Sequence, residues 1–257
     1  MSPRQNPSRL IGPLRGLQGR FWGVRFPRIG GRSGVSNHMS WQSSEYHFGS
    51  ARLVHYLTEC SNDQQRAVAL YEWNAAISAA FWESLSYLEV ALRNAIDRQM
   101  QAIHVGKGRS GYWIFDDAQE LGRDARGAGR HDYPYQDVAS AIARVRQNKK
   151  QVTSGQVISE ISFGFWHQLV SKRQVRLWPD LVAAFPNSPN RSQATVHDPV
   201  SRLRAIRNRI GHHHRIWSVD IAARYADIVV VTGYIDPQLA TWIDSRSRVN
   251  ATLAKRP

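Results

Sequence analysis

The chain is most informative first in what it lacks. It has one cysteine, Cys60, so no internal disulfide can form and a reducing cytoplasm is the expected setting. It has no CxxC pair and no mixed His/Cys cluster with zinc spacing, so no structural zinc site is expected. No apolar run approaches the roughly 18 residues of a membrane helix. Stretches such as Ile228 to Val231 are far too short, and no membrane span is expected. Acidic residues are scarce, with 20 Asp and Glu against 34 Lys and Arg, for a net charge of +14 and a pI near 10.6. Such an excess favours a polyanionic partner, nucleic acid first, and otherwise means a basic solvated surface. Alternating strand patterns and internal repeats are also missing.

What is present centres on Leu203 to Trp217, LRAIRNRIGHHHRIW. Leu203, Ile206 and Ile210 recur at helical steps and form one stripe at about 100° per residue. Asp198 and Pro199 read as an N-cap and a first helical position. Asn208 and His212, four apart, share the side opposite the stripe, with Arg207 at its border. Gly211 can end the helix just before His212. His titrates near neutrality and can move a proton to or from a ribose or leaving oxygen. Arg offers a fork of donors to phosphate, and Asn can orient either. The plainer alternative is that cations collect at a helix C-terminus because they suit its dipole.

Arg207-Asn208-Arg209-Ile210-Gly211-His212-His213 resembles the Arg-Asn-x-x-x-His signature of HEPN domains. The stretch is similar above all to the Abi-like (abortive infection) family, whose late motif reads much like LRNRIAHHEPI. Three further segments resemble that family: Ala69 to Asn74 (ALYEWN), Tyr87 to Asn94 (YLEVALRN) and Ile158 to Trp166 (ISEISFGFW). The resemblance covers roughly residues 45 to 245. It departs after the paired histidines, where His214-Arg215 replace the family's Glu-Pro.

The resemblance implies a metal-independent endoribonuclease in antiphage abortive infection or toxin–antitoxin defence. Its products would carry a 2′,3′-cyclic phosphate and a 5′-hydroxyl. It also implies a homodimer with a composite site, RNA as partner and an antitoxin protein as a further one. On this basis His212 is the general acid/base, Arg207 the phosphate donor and Asn208 the orienting group. His213 is a supporting imidazole, and Glu89, Arg93 and Asn94 line the cleft against Arg207. A module that binds RNA or protein without cutting is the first alternative. A metal site on His212, His213 and His214 is the second, disfavoured because adjacent helical side chains diverge.

The rest of the chain supplies scaffold. Residues 1–44 hold seven arginines and no acidic residue, and are expected to be a disordered arm. The arm could add RNA affinity, act as an organellar transit sequence, or reflect a start upstream of Met39. Residues 45–248 are expected to form an all-α, HEPN-like helical bundle with short accessory helices, and 249–257 a flexible tail.

Asp63 should cap a long helix to about His104, with Phe81, Leu85, Leu88, Leu92 and Ile96 as its stripe. Residues 105–135 read as a loop in which Lys107, Arg109, Arg123, Arg126 and Arg130 could track RNA, as could Arg204 and Arg215 elsewhere. Gly106-Lys107-Gly108 lacks P-loop spacing. Further helices are predicted over 137–150, 156–168 (broken near Gly164), 180–185, 219–234 and 237–248, with 189–196 as loop.

Overall fold

Caps and apolar stripes set the helices, and the computed structural model describes residues 39–116, 121 and 133–257. Among these every regular element is helical and none is a strand, as the helical stripes and the missing strand alternation predict. The basic segment before Met39 and the arginines at 123, 126 and 130 lie outside the described residues.

Ser40 caps α1 (Trp41–Phe48) by accepting the Ser43 N–H at 3.2 Å. Residues 41–44, expected in the arm, are therefore the first turn of a helix. Gly49, at φ 84°, makes the sharp joint to α2 (Ser50–Glu59), a backbone angle that suits glycine.

The central member is α3 (Gln64–Gly106), 43 residues long and about 64 Å from end to end. As predicted, Asp63 caps it, taking the Gln65 and Arg66 N–H groups at 3.0 Å each. Ile77, Phe81, Leu85, Leu88, Leu92 and Ile96 form its buried stripe. The chain beyond α3 folds back on it. Asp97 accepts from the Tyr112 hydroxyl and the Trp113 indole, each at 2.7 Å, and Gln101 accepts the Trp113 N–H at 2.9 Å.

Helix α4 (Tyr133–Gln147) begins a turn earlier than its pattern predicts. Next come α5 (Ser154–Glu160) and α6 (Phe163–Leu169). Their break sits at Ile161 and Ser162, both extended, and not at Gly164, which lies inside α6. Then follow α7 (Trp178–Leu181) and α8 (Gln193–Gly211).

Helix α8 corrects the predicted start at Asp198. Residues 193–198 are helical and Pro199 is internal. Asn190 Oδ1 accepts from the Ser192 N–H and the Thr195 hydroxyl at 2.9 and 2.7 Å, fixing the first turn. Val196 is fully buried there. Burial and capping outweigh the bond that Pro199 cannot make.

Asp220, not Ser218, caps α9 (Ile221–Ile235). Asp236 and Pro237 start α10 (Pro237–Arg246) as predicted. The tail expected to be flexible carries α11 (Val249–Leu253). Val249 is fully buried, Thr252 O accepts the Trp73 indole at 2.8 Å, and Arg256 pairs with Glu59 at 2.7 Å. Helices α8, α9 and α11 all pack on α3. Asp227 joins α9 to α8, gripped by Arg202 Nη2 at 2.6 Å and Arg224 Nε at 3.0 Å.

Candidate functional site

Helix α8 ends in a defined knot. The His213 N–H donates to Ile210 O at 2.9 Å and the His214 N–H to Arg209 O at 2.8 Å, the paired bonds of a Schellman ending. His213 occupies the left-handed residue of that motif, at φ 55°. A non-glycine there costs about 1–2 kcal/mol, so neighbours must hold it.

Three of them do. Arg52 Nη1 on α2 donates to His213 O at 2.6 Å, Arg209 Nη2 donates to Arg215 O at 2.6 Å, and the Ile216 N–H donates to Asn74 Oδ1 on α3 at 2.8 Å. The turn splays the three imidazoles, leaving the His212 and His214 ring centroids 5.9 Å apart.

One turn before the knot, Arg207 bridges to α3. Its Nε lies 3.9 Å from Glu89 Oε2, and its guanidinium sits 5.3 Å over the Trp82 ring. Trp82, Glu89 and Arg93 share a face of α3, because steps of seven and four residues nearly close on themselves. Burial raises the Glu89 carboxyl above its ordinary range, while Arg207 and then Arg93 draw it down. The Nε atoms of Arg93 and Arg207 are shielded from water and have no hydrogen-bond acceptor among the described residues. Anion oxygens are the natural acceptors for such groups.

Beside this cluster opens a cleft of about 900 Å³. Phe48, Tyr56, Tyr71 and Trp82 give it aromatic walls, and His47, Arg52, Asn74, Ser78, His213 and His214 are its polar lining. A smaller pocket of about 280 Å³ shares Arg52, Tyr56, His213 and His214 with it and adds His55, Arg209 and Arg215. His212 and Asn208 are exposed beside the cleft and do not line it.

The structure thus gathers Arg207, Glu89 and Arg93, and sets the histidines just past them. It does not bring the other candidates together. Asn94 is exposed, and falls about 100° around α3 from Arg93. Lys107 lies 18 residues beyond Glu89, about 27 Å along the helix, and Arg109 follows it. Arg204 borders a separate pocket with His167 and His197. Arg215 lies over Trp217 at 5.8 Å and lines the smaller pocket. Among the described residues no group of three or more His, Cys, Asp or Glu could hold a metal ion.

Asn74, Arg52, Trp82 and Arg209 have places here that the motif did not reveal. Only Asn74 left a trace, as a polar residue inside the apolar stripe between Leu70 and Ile77. Residues 44–218 match the family described as Abi-like protein. No curated protein and no solved structure matches the chain. No helix among the described residues is long and apolar enough to cross a membrane.

Proposed function

Because this chain belongs to the Abi-like protein family, we propose that it is a HEPN-type endoribonuclease, metal-independent, of an abortive-infection or toxin–antitoxin system. The observation that carries the reading is the course of Arg207. Its Nη1 reaches within 4.0 Å of where a Gly211 Cβ would stand, so the guanidinium points along the helix toward the histidines. A phosphate there would meet the donor fork of Arg207 and an imidazole together.

In this reading the ribose 2′-oxygen attacks phosphorus, and its proton passes to an imidazole, His212. The bond from phosphorus to the 5′-oxygen breaks, and that oxygen takes a proton as it leaves. Arg207 stabilises the charge that builds on the remaining phosphate oxygens. Asn208 orients the substrate or the imidazole, and His213 supports. The products are a 2′,3′-cyclic phosphate and a 5′-hydroxyl.

In-line displacement puts base and acid on opposite sides of phosphorus, so one imidazole cannot serve both at once. Two copies meeting across their α8 ends would supply two. The exposure of His212 beside the cleft, and not in its wall, supports such a homodimer. An antitoxin protein would then act by covering this end.

The same exposure favours a second reading, a module that binds RNA or protein through the cleft without cutting. RNA cleavage in EDTA by the full chain and its His212→Ala and Arg207→Ala variants separates the two. Cleavage lost in both variants, with cyclic phosphate ends on the products, is the expected result. Folded wild-type protein that binds RNA and never cuts it would favour the binding module.

A further inference from the structure

On the same helix but away from Arg207, a pocket of about 530 Å³ is lined by His167, Gln168, Ser171, Lys172, Arg173, His197 and Arg204. We propose that this pocket is a phosphate-binding site, distinct from the Arg207 site and independent of whether RNA is cut.

Its lining carries three permanent cations and two imidazoles, and no carboxylate among the described residues. Two acids among the described residues contact its lining and have partners there. Asp198 Oδ1 is 3.0 Å from His197 Nδ1, and Asp137 Oδ2 accepts from Gln168 Nε2 at 3.4 Å. Like charges concentrated on one concave wall repel one another unless an anion enters.

His167 gives the second, independent observation. Both of its ring nitrogens are shielded from water, and neither has a hydrogen-bond partner among the described residues. A neutral imidazole always carries one N–H, and a shielded donor calls for an acceptor. His167 stacks at a tilt on His197, with ring centroids 5.5 Å apart. Burial, then Arg204, His197 and Arg173, push it down to about 4, so it stays neutral and offers that donor at physiological pH.

A phosphate oxygen accepts from an imidazole N–H and from guanidinium groups alike, which makes phosphate the anion the lining fits. The phosphate can belong to an RNA backbone or to a free phosphate compound. Arg204 stands three residues before Arg207, about 4.5 Å along the helix, so one RNA strand could engage both sites.

The test uses the full chain and its Arg173→Gln/Arg204→Gln double variant, both positions being exposed. Binding of inorganic pyrophosphate and of a 2′-O-methyl oligoribonucleotide, which cannot be cut, is measured by calorimetry. The His167 imidazole nitrogens are followed by NMR.

The expected result is that pyrophosphate moves the His167 resonances and that the double variant binds at least about tenfold more weakly. Weakening toward the oligonucleotide as well identifies an RNA phosphate, and weakening toward pyrophosphate alone identifies a free one. Unmoved His167 resonances, together with affinities within about twofold of wild type for both ligands, would overturn the proposal. A His212→Ala variant that binds pyrophosphate normally while cleavage is lost keeps this site separate from the catalytic reading.

Discussion

Asn74 and Ile216 stand 142 residues apart and share a buried hydrogen bond, the Ile216 amide donating to Asn74 Oδ1 at 2.8 Å. Asn74 is 7 % exposed and Ile216 fully buried, so water cannot replace either partner. The bond fixes the segment after the histidines to the middle of α3. Asn74→Leu keeps the branched shape and strands the amide, which should cost about 1–3 kcal/mol. Urea unfolding measures the loss, and hydrogen exchange at Ile216 should quicken with it. Asn74→Asp keeps an acceptor and should recover part of the stability.

Arg207 is held by Trp82 and Glu89 at once, so its charge and its shape can be tested separately. Arg207→Lys keeps the charge and loses the planar fork. If the proposed reaction holds, RNA cleavage should fall by about 10²-fold or more, while RNA affinity changes far less. An equal loss in both would mean that Arg207 only helps to hold the strand.

His167 makes the fold sensitive to acid. Its imidazole is pushed from 6.5 to about 4, chiefly by burial, so the unfolded chain takes up a proton before the folded one does. Its contribution is complete above 6.5 and is lost as pH falls toward 4. His167→Gln should flatten that part of the stability curve. Urea midpoints at about pH 7.5 and about pH 4 report it, with wild type dropping further than the variant. An equal drop would place the sensitivity in other groups.

Asp227 ties α8 to α9 through Arg202 and Arg224 and is itself 7 % exposed. Asp227→Ala leaves two guanidinium groups facing each other without their acceptor. The expected loss is about 2–3 kcal/mol, read from thermal or denaturant unfolding. Arg202→Met should lose less, because Arg224 still reaches the carboxylate.

Deleting residues 249–257 removes the fully buried Val249 and the carbonyl that accepts the Trp73 indole. A loss of at least about 2 kcal/mol is expected, with stronger quenching of Trp73 fluorescence by a dissolved quencher. A deletion without effect on unfolding would mean that α11 contributes nothing to the core it covers.

Much of the architecture was legible because it is local. Asp63 and Asp236-Pro237 mark helix starts, and the stripe from Phe81 to Ile96 sets the face of α3. The Arg-Asn-x-x-x-His spacing likewise pointed to the end of α8, where the structure sets Arg207 against Glu89. What stayed hidden depends on distant partners. Pro199 reads as a helix start until Asn190 and the buried Val196 are seen to begin the helix earlier. Residues 249–257 look like a tail until Trp73 and Glu59 hold them. The left-handed backbone of His213 is held by distant partners, among them Arg52 of another helix, which binds its carbonyl. Spacing and the family resemblance together pointed to His212, which is exposed beside the cleft that the turn lines with His213 and His214.

The unbroken course of α3 also sets a rule for how this stretch can vary in length. Asn74 and Glu89 sit on one rod, fifteen residues apart, one anchoring the histidine segment and the other facing Arg207. A single inserted residue between them would turn everything downstream by about 100°, carrying Glu89 and Arg93 off the side that meets α8. Insertions here can survive only where they restore the angular phase, as seven residues nearly do. Substitutions along the outer side of the same rod are free of that constraint.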